Sequence, residues 1–416
     1  MKEAANYCLG CINKPCSKGC PLNNNIPGFI QLIKEDKLKE AYELLSETTV
    51  LQSICGRICP HTKQCEGKCI RGYKGEPVNI GKLESYIGDE AIKNNWDIPI
   101  PIAERHEKIA VIGSGPAGLT CASFLKRAGF HVTIYEKHNY LGGLLRHGIP
   151  EFRLPKKILD ETINKIISLG IEVKLNQELG KDITLAELEQ EYDCIFIGIG
   201  ANISSKMNIP GEELNGVYGG NELLEQNNHP DYNGKDIVVS GGGNVAMDVA
   251  RTIKKLGANK VTIVYRRSET EMPAETKEIE EAKQEGIGFI TTTNILSIKG
   301  NNKVEEIECI KTELVQKEGE NRPYPVNIEG TNFRIKADYC IMAVGSHPEE
   351  EITTKLNLEL DKKNRIVVNE NNQTSNKKIF AGGDISSTEG TVAFAARHGR
   401  DAAQNIIDYL NNKSSN

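Results

Sequence analysis

Residues 109–137 read IAVIGSGPAGLTCASFLKRAGFHVTIYEK. An apolar run ends in Gly113-Ser114-Gly115-Pro116-Ala117-Gly118, a helical stretch follows, and a second apolar run closes on Glu136 and Lys137. This is a strand–turn–helix–strand unit of about 30 residues, the size of a mononucleotide-binding half. The glycines permit a tight turn, close approach of the backbone to a pyrophosphate, and close packing of helix on strand. The helix start offers free N–H groups and partial positive charge to the phosphates. Glu136 stands 23 residues after Gly113, where a carboxylate can accept hydrogen bonds from an adenosine ribose.

The unit is repeated at 237–267, IVVSGGGNVAMDVARTIKKLGANKVTIVYRR, with Gly113 falling on Gly241, Gly115 on Gly243 and Gly129 on Gly257. An α/β chain with two dinucleotide sites is expected. In the second, Gly241-Gly242-Gly243-Asn244-Val245-Ala246 is the phosphate loop. Allowing one extra residue before the strand, Tyr265 takes the place of Glu136, and Arg266 and Arg267 follow. A carboxylate would repel a 2′-phosphate, whereas paired guanidiniums would bind it. NADPH is expected there, against the plainer reading of two solvated arginines.

The first site is assigned to FAD. In flavoproteins with two such units the flavin unit usually comes first, and a later GGD completes its site. IFAGGDI at 379–385 supplies that element, with Asp384 bonding the ribityl chain. The helix read from Val392 to Leu410, after Thr391, would aim its positive end at the flavin ring. Segments 194–201 (CIFIGIGA) and 340–345 (CIMAVG) read as buried strands ending in glycine turns. No CxxxxC follows the flavin loop; LGGLLRHGIPEFRLPK (141–156) stands there instead, so the electrons must leave by another route.

Composition sets outer limits. The chain has 416 residues, enough for two to four domains, with 26% charged and 38% hydrophobic residues. Mean hydropathy is −0.40 and no apolar run approaches the roughly 18 residues of a membrane span. A net charge of −6 gives no basic excess, so nucleic acid is not an expected partner. MKEAANYCLGC has no apolar core for a signal peptide, so a cytoplasmic location is expected.

Eight of the 12 cysteines lie in the first 69 residues. Their spacing is Cys8-x2-Cys11-x4-Cys16-x3-Cys20-Pro, then Cys55-x3-Cys59-Pro-x4-Cys65-x3-Cys69. The ferredoxin run C-x2-C-x2-C-x3-C-P is close to this, and its fourth cysteine ligates the other cluster. By that pattern Cys8, Cys11 and Cys16 hold one [4Fe–4S] cluster and Cys20 reaches a second. Two zinc sites of four thiolates are the alternative. Between the cysteine groups, 27–46 reads as two short amphipathic helices: Phe29, Leu32 and Ile33 form one apolar face; Leu38, Ala41, Leu44 and Leu45 form the other. Pro99 and Pro101 mark a linker. Cys121, within the first nucleotide-binding helix, reads as a core cysteine.

These residues resemble a known family. CGRICP, EPVNIGKLE, GSGPAGL, GIPEFRLPK, GGGNVAMDVAR, VYRRSETEMPA and AGGDI are similar, essentially end to end, to the small (beta) subunit of glutamate synthase. Its relatives are the N-terminal half of dihydropyrimidine dehydrogenase, that enzyme's separate bacterial NAD(P)H-oxidising subunit, and the large subunit of NADH-dependent ferredoxin:NADP oxidoreductase. The resemblance implies two [4Fe–4S] clusters, FAD and usually NADPH. It implies Cys8, Cys11, Cys16 and Cys69 on one cluster and Cys20, Cys59 and Cys65 on the other. Glu84 is implied as the eighth ligand, where some relatives carry glutamine, with Cys55 the runner-up. Around FAD it points to Gly113–Gly118, Glu136, Gly143, Leu144, Arg153, Leu179, and the stretch from Gly383 and Asp384 to Thr391 and Val392. Around NADPH it points to Gly242–Val245, Arg266, Arg267 and the Ala343–Gly345 turn. His147 and Glu151 fall in the loop beside the flavin, and both are read as structural. The arginine pair departs from the NAD-specific pyrimidine-reducing branch.

The expected architecture is a helical Fe–S domain (1–100) followed by two Rossmann-like domains. FAD is assigned to 108–220 and 346–416, making that domain discontinuous, and NADPH to 221–345. The expected function is NADPH oxidation, with electrons passed through FAD and the clusters to a larger catalytic subunit. The alternatives are a stand-alone or bifurcating oxidoreductase using ferredoxin, and the NAD(P)H-oxidising subunit of a dihydropyrimidine dehydrogenase.

Overall fold

A computed structural model describes residues 1–99, 104–226, 229–316 and 322–414. Pro101 of the expected linker lies outside the described residues. The chain forms two compact units.

The first unit takes in residues 1–146, 151–201 and 348–416. It opens with helices α1 (Lys2–Asn6), α2 (Pro15–Gly19), α3 (Ile26–Lys34), α4 (Leu38–Ser46), α5 (Gln52–Ile58) and α6 (Ile80–Lys93). The two helices read at 27–46 are α3 and α4. Their buried faces include Ile30 and Tyr42 as well as the expected Phe29, Ile33, Ala41 and Leu45, while Leu32, Leu38 and Leu44 stay partly exposed. Glycines let α5 and α6 approach closely: a Cβ on Gly56 would meet the Ser85 nitrogen at 2.4 Å, and one on Gly88 the Ser53 Oγ at 2.4 Å.

The same unit continues as β1 (Lys108–Ile112), α7 (Pro116–Arg127), β2 (His131–Glu136), β3 (Glu172–Leu175) and β4 (Cys194–Ile197). Strand Ile379–Ala381 comes back from the far end of the chain to complete a parallel sheet ordered Ile379–Ala381, β4, β1, β2, β3. The central strands β1 and β4 read as near-unbroken apolar runs because both faces are covered. On one face Ala110, Ile112, Ile195 and Ile197 pack with Leu179, Leu188, Leu356 and Ile385. The C-terminal helix, Val392–Ser414, lies on α7 so closely that a Cβ on Gly399 would meet the Ala117 oxygen at 2.1 Å.

The second unit takes in 147–150 and 202–347. Its parallel sheet runs Val217–Gly219, Tyr339–Met342, Asp236–Ser240, Lys260–Val264, Gly288–Ile290. A four-stranded antiparallel sheet, formed by Thr293–Lys299, Glu306–Val315, Tyr324–Asn327 and Phe333–Lys336, adds to it. Ile295, Ile298, Ile307 and Cys309 of that sheet pack on Val238 and Val264, while helix Asn244–Lys255 buries Met247, Val249 and Ile253 in a second core. Among the described residues no helix is long and apolar enough to cross a membrane.

Candidate dinucleotide and iron–sulfur sites

The two glycine turns are built alike. Gly113 (φ +95°) and Gly241 (φ +137°) adopt left-handed backbone, and a Cβ on either would strike a carbonyl: Gly198 at 2.6 Å and Ala343 at 2.1 Å. These turns are therefore closed to larger residues. A Cβ on Gly118 would meet the Gly113 oxygen at 1.9 Å; Ala246, its counterpart, is fully buried. Gly115 and Gly243 differ. Each caps a helix in extended backbone, and around a Cβ at Gly115 there is nothing within 4 Å, around one at Gly243 only Pro273 at 3.8 Å. The open space sits at a helix N-terminus in both units, which fits a pyrophosphate.

Glu136 is buried and braces the first turn. Its Oε2 accepts from the Ser114 nitrogen at 3.0 Å and Oγ at 2.5 Å, and its Oε1 accepts from the His138 nitrogen at 2.9 Å. Lys137 is exposed. Gly143 (φ +51°) comes against Gly115, at 3.0 Å from a Cβ built there, and Leu144 starts the helix Leu144–His147. Arg153 is partly exposed. The Leu179 side chain is core. Glu151 caps helix Lys156–Ile167 by accepting from the Lys156 nitrogen at 3.0 Å.

The GGD segment is brought onto this turn: a Cβ on Gly383 would lie 3.1 Å from that of Ala117. The Gly383 nitrogen donates to His398 Nδ1 at 3.3 Å, and His398 Nε2 faces a Glu389 carboxylate oxygen at 3.0 Å. Burial pushes the Asp384 carboxyl up to about 6, against the opposing pull of Arg365. Thr391 caps the C-terminal helix, its Oγ1 accepting from the Phe394 nitrogen at 3.3 Å. Val392 is its first residue, and the helix extends four residues beyond the expected Leu410, to Ser414.

In the second unit the Tyr265 ring lies under Gly242, whose Cβ would meet it at 2.8 Å. Asn244 accepts from the Glu275 nitrogen at 3.1 Å, and Val245 follows it in the first turn of the helix. The Ala343 nitrogen donates to Ser240 at 2.8 Å, and the Gly345 oxygen (φ +126° at this residue) accepts from Ser205 at 2.9 Å. Arg266 is exposed, and its guanidinium makes no hydrogen bond among the described residues. Arg267 Nε donates to the Pro323 oxygen at 3.0 Å. Arg322, passed over in the sequence, reaches the Tyr265 hydroxyl at 3.1 Å.

The cysteines fall into two groups. Cys8, Cys11, Cys16 and Cys69 line one small pocket, walled by apolar residues such as Ile26, Ile30 and Val78. Cys20, Cys59 and Cys65 all interact electrostatically with Glu84, which is buried on α6 and accepts from Asn24 Nδ2 at 3.2 Å. Burial pushes Glu84 up to about 8, Cys20 up to about 12 and Cys16 up to about 11. Cys59 is raised by its hydrogen bond with Cys55 and by burial, and Cys65 by burial. Such thiols ionise when a cationic metal centre offsets the lost hydration. Among the described residues no three thiols lie within 4.8 Å of one another.

Residues 1–96 match the family model for dihydropyrimidine dehydrogenase domain II, 4Fe-4S cluster, and residues 107–399 match that for pyridine nucleotide-disulphide oxidoreductase. The glutamate synthase [NADPH] small chain of Escherichia coli K12 is 37% identical over 430 residues, covering 98% of this chain and 91% of the relative. The chain belongs to the glutamate synthase small-chain family. The putative oxidoreductase AegA of the same organism is 38% identical over 435 residues, which take in 99% of this chain and 66% of AegA. Mycobacterium tuberculosis FprA, solved with NADPH, shares the fold at 22% identity (TM-score 0.67, 75% of this chain, 86% of FprA). As a member of the small-chain family this protein is an NAD(P)H-dependent oxidoreductase, a flavoprotein with a 4Fe–4S region.

Proposed function

We propose that the chain oxidises NADPH and delivers the electrons, through FAD and two [4Fe–4S] clusters, to a larger catalytic subunit of the glutamate synthase kind. The observation that carries this reading is the coexistence of two glycine turns, each open at a helix N-terminus, with two separate groups of four candidate cluster ligands. When bound, the flavin supplies the conversion of a two-electron hydride into single electrons that the clusters can carry.

The chain's own residues bind, orient and tune. In the first unit, the turn Gly113–Gly118 would hold the FAD pyrophosphate, Asp384 a ribityl hydroxyl, and the N-terminus of the C-terminal helix the negative side of the reduced ring. Arg153 and the backbone at Gly143, Leu144 and Leu179 would line the rest. In the second, Gly241–Val245 would hold the NADPH pyrophosphate, Arg266 and Arg267 the 2′-phosphate, and the Ala343–Gly345 turn the nicotinamide end. Cys8, Cys11, Cys16 and Cys69 would hold one cluster, and Cys20, Cys59, Cys65 and Glu84 the other. The hydride step needs no acid or base from the protein. Unpaired thiols at this density call for a reducing compartment, in keeping with the cytoplasm.

Anaerobically loaded protein titrated with NADPH tests the reading. About eight iron and eight sulfide per chain, with flavin and iron–sulfur absorbance both bleached, is expected. Flavin bleaching with four iron or fewer overturns the two-cluster route. A second reading is a stand-alone oxidoreductase using a ferredoxin-type acceptor. Co-purification of a large amidotransferase subunit from the native cell supports the first reading over the second.

A further inference from the structure

We infer that Arg322 is a specificity-determining residue of the second dinucleotide site, supplying a guanidinium to the adenosine 2′-phosphate of NADPH. The inference rests on the reading of that site as an NADPH site.

The two nucleotide-binding repeats diverge at the end of the second strand. In the first, the strand ends on Glu136, whose carboxylate turns back on the glycine turn through Ser114. In the second, the matching residue is Tyr265, and its ring packs under Gly242, in the space next to the phosphate loop. The ring leaves no carboxylate to meet a ribose hydroxyl. Its own hydroxyl donates to the Glu271 backbone oxygen at 3.0 Å. Arg322, 57 residues further along the chain, closes on the same hydroxyl: its Nη2 donates to Tyr265 Oη at 3.1 Å and also to the Glu271 oxygen. A cation therefore stands where the first repeat has an anion, at the strand end that meets the ribose in this class of fold.

Two further observations bear on its role. Arg267, the second arginine of the sequence motif, uses Nε to hold the Pro323 oxygen at 3.0 Å, which keeps the segment carrying Arg322 beside the loop. Arg322 remains available to a ligand. Its side chain is 47% exposed, and its Nη1 makes no bond among the described residues. The Glu271 carboxylate is 3.6 Å from Nε, too far to consume a donor. Nη2 is thus fixed by two acceptors while Nη1 is free to meet a phosphate oxygen, a pre-organised arrangement.

Calorimetric binding of 2′,5′-ADP and of 5′-AMP to the flavin-loaded protein tests this without turnover. Wild type is expected to prefer 2′,5′-ADP. Arg322→Ala is expected to lose about tenfold in affinity for 2′,5′-ADP, the weight of one charge-assisted hydrogen bond, and to keep its affinity for 5′-AMP. Arg322→Lys should recover part of the loss. An Arg322→Ala protein that retains the full preference overturns the proposal and leaves the NADPH reading standing. Equal losses for both nucleotides in the Ala and Lys variants also overturn it, because the residue is then only structural. A wild type that binds the two alike overturns the NADPH reading, and this inference with it.

Discussion

Arg400 Nη1 donates to the Leu22 carbonyl at 2.7 Å, joining residues 378 apart in sequence. It also reaches the Thr48 oxygen at 3.4 Å, while Nη2 pairs with Asp401 at 2.9 Å. On the neighbouring helix α7, Arg127 Nη1 donates to the Ser46 oxygen at 2.7 Å. Two arginines on the nucleotide-binding layer thus grip the loop that follows Cys20 and the turn that follows α4. A partly buried bond from a charged donor is worth about 1.5–3 kcal/mol. Arg400→Ala is expected to lower unfolding free energy by about 2 kcal/mol and to speed iron loss to a chelator. Chelation kinetics and a denaturant curve check both; unchanged iron release would mean that the loop holds itself.

Gly115 and Gly118 are separable. The backbone at Gly115 is extended (φ −70°, ψ −177°), which any residue adopts, and a Cβ there enters open space. At Gly118 a Cβ would overlap the Gly113 carbonyl at 1.9 Å. Gly115→Val should therefore fold with near-normal thermal stability and fail to retain flavin, because its side chain fills the pyrophosphate space. Gly118→Ala should lose stability whether or not flavin is present. Flavin content beside the melting temperature of each variant decides; full flavin in Gly115→Val would move the pyrophosphate elsewhere.

Asp384 gives the flavin-free protein a specific pH dependence. Burial raises its folded-state pKa from 3.8 to about 6, so the folded form holds the proton more tightly than the unfolded chain does. The stabilisation is complete below about pH 4 and is lost as pH rises through about 6. The change amounts to about 3 kcal/mol at most. Asp384→Asn should remove this slope, stabilise the flavin-free protein at pH 7, and weaken FAD binding. Parallel wild-type and Asp384→Asn melting curves between pH 4 and 7 would contradict this.

The arginine pair makes a coenzyme prediction. With Tyr265 in place of an acidic residue and Arg266 exposed, reversing the charge at both arginines should repel a 2′-phosphate. Arg266→Glu with Arg267→Glu is expected to collapse NADPH-driven dye reduction relative to NADH. An unchanged ratio would remove the pair from the site.

Much of this was legible in the sequence because glycine spacing is a local code. Gly113, Gly118 and Gly241 are required by backbone geometry, and any fold of that kind must show them. Tertiary placement was harder to read. In the sheet spanning Thr293–Lys336, the four-residue strand Tyr324–Asn327 is mostly exposed, so little apolar pattern announces it. Arg322, Arg400 and His398 act through long-range contacts with backbone or side-chain groups, and no residue pattern nearby marks them. Ile30 and Tyr42 were missed for a milder reason: a buried helix face is wider than the apolar stripe used to find it.

The last cluster ligand can be decided by chemistry. Glu84 is the shared neighbour of Cys20, Cys59 and Cys65, whereas Cys55 neighbours Cys20 and Cys59. Cys55 instead hydrogen-bonds Cys59, four residues along from it at the end of α5. A group that meets three candidate ligands closes a set of four better than one that meets two. Glu84→Ala is expected to remove about half of the iron and sulfide, one cubane of two, while Cys55→Ala should retain both. Glu84→Gln should keep the iron and raise the reduction potential of one centre, because a neutral amide replaces a negative carboxylate beside it. Iron and sulfide assays with a potentiometric titration read all three variants. Iron loss in Cys55→Ala with none in Glu84→Ala would reverse the assignment and make the second centre all-cysteine.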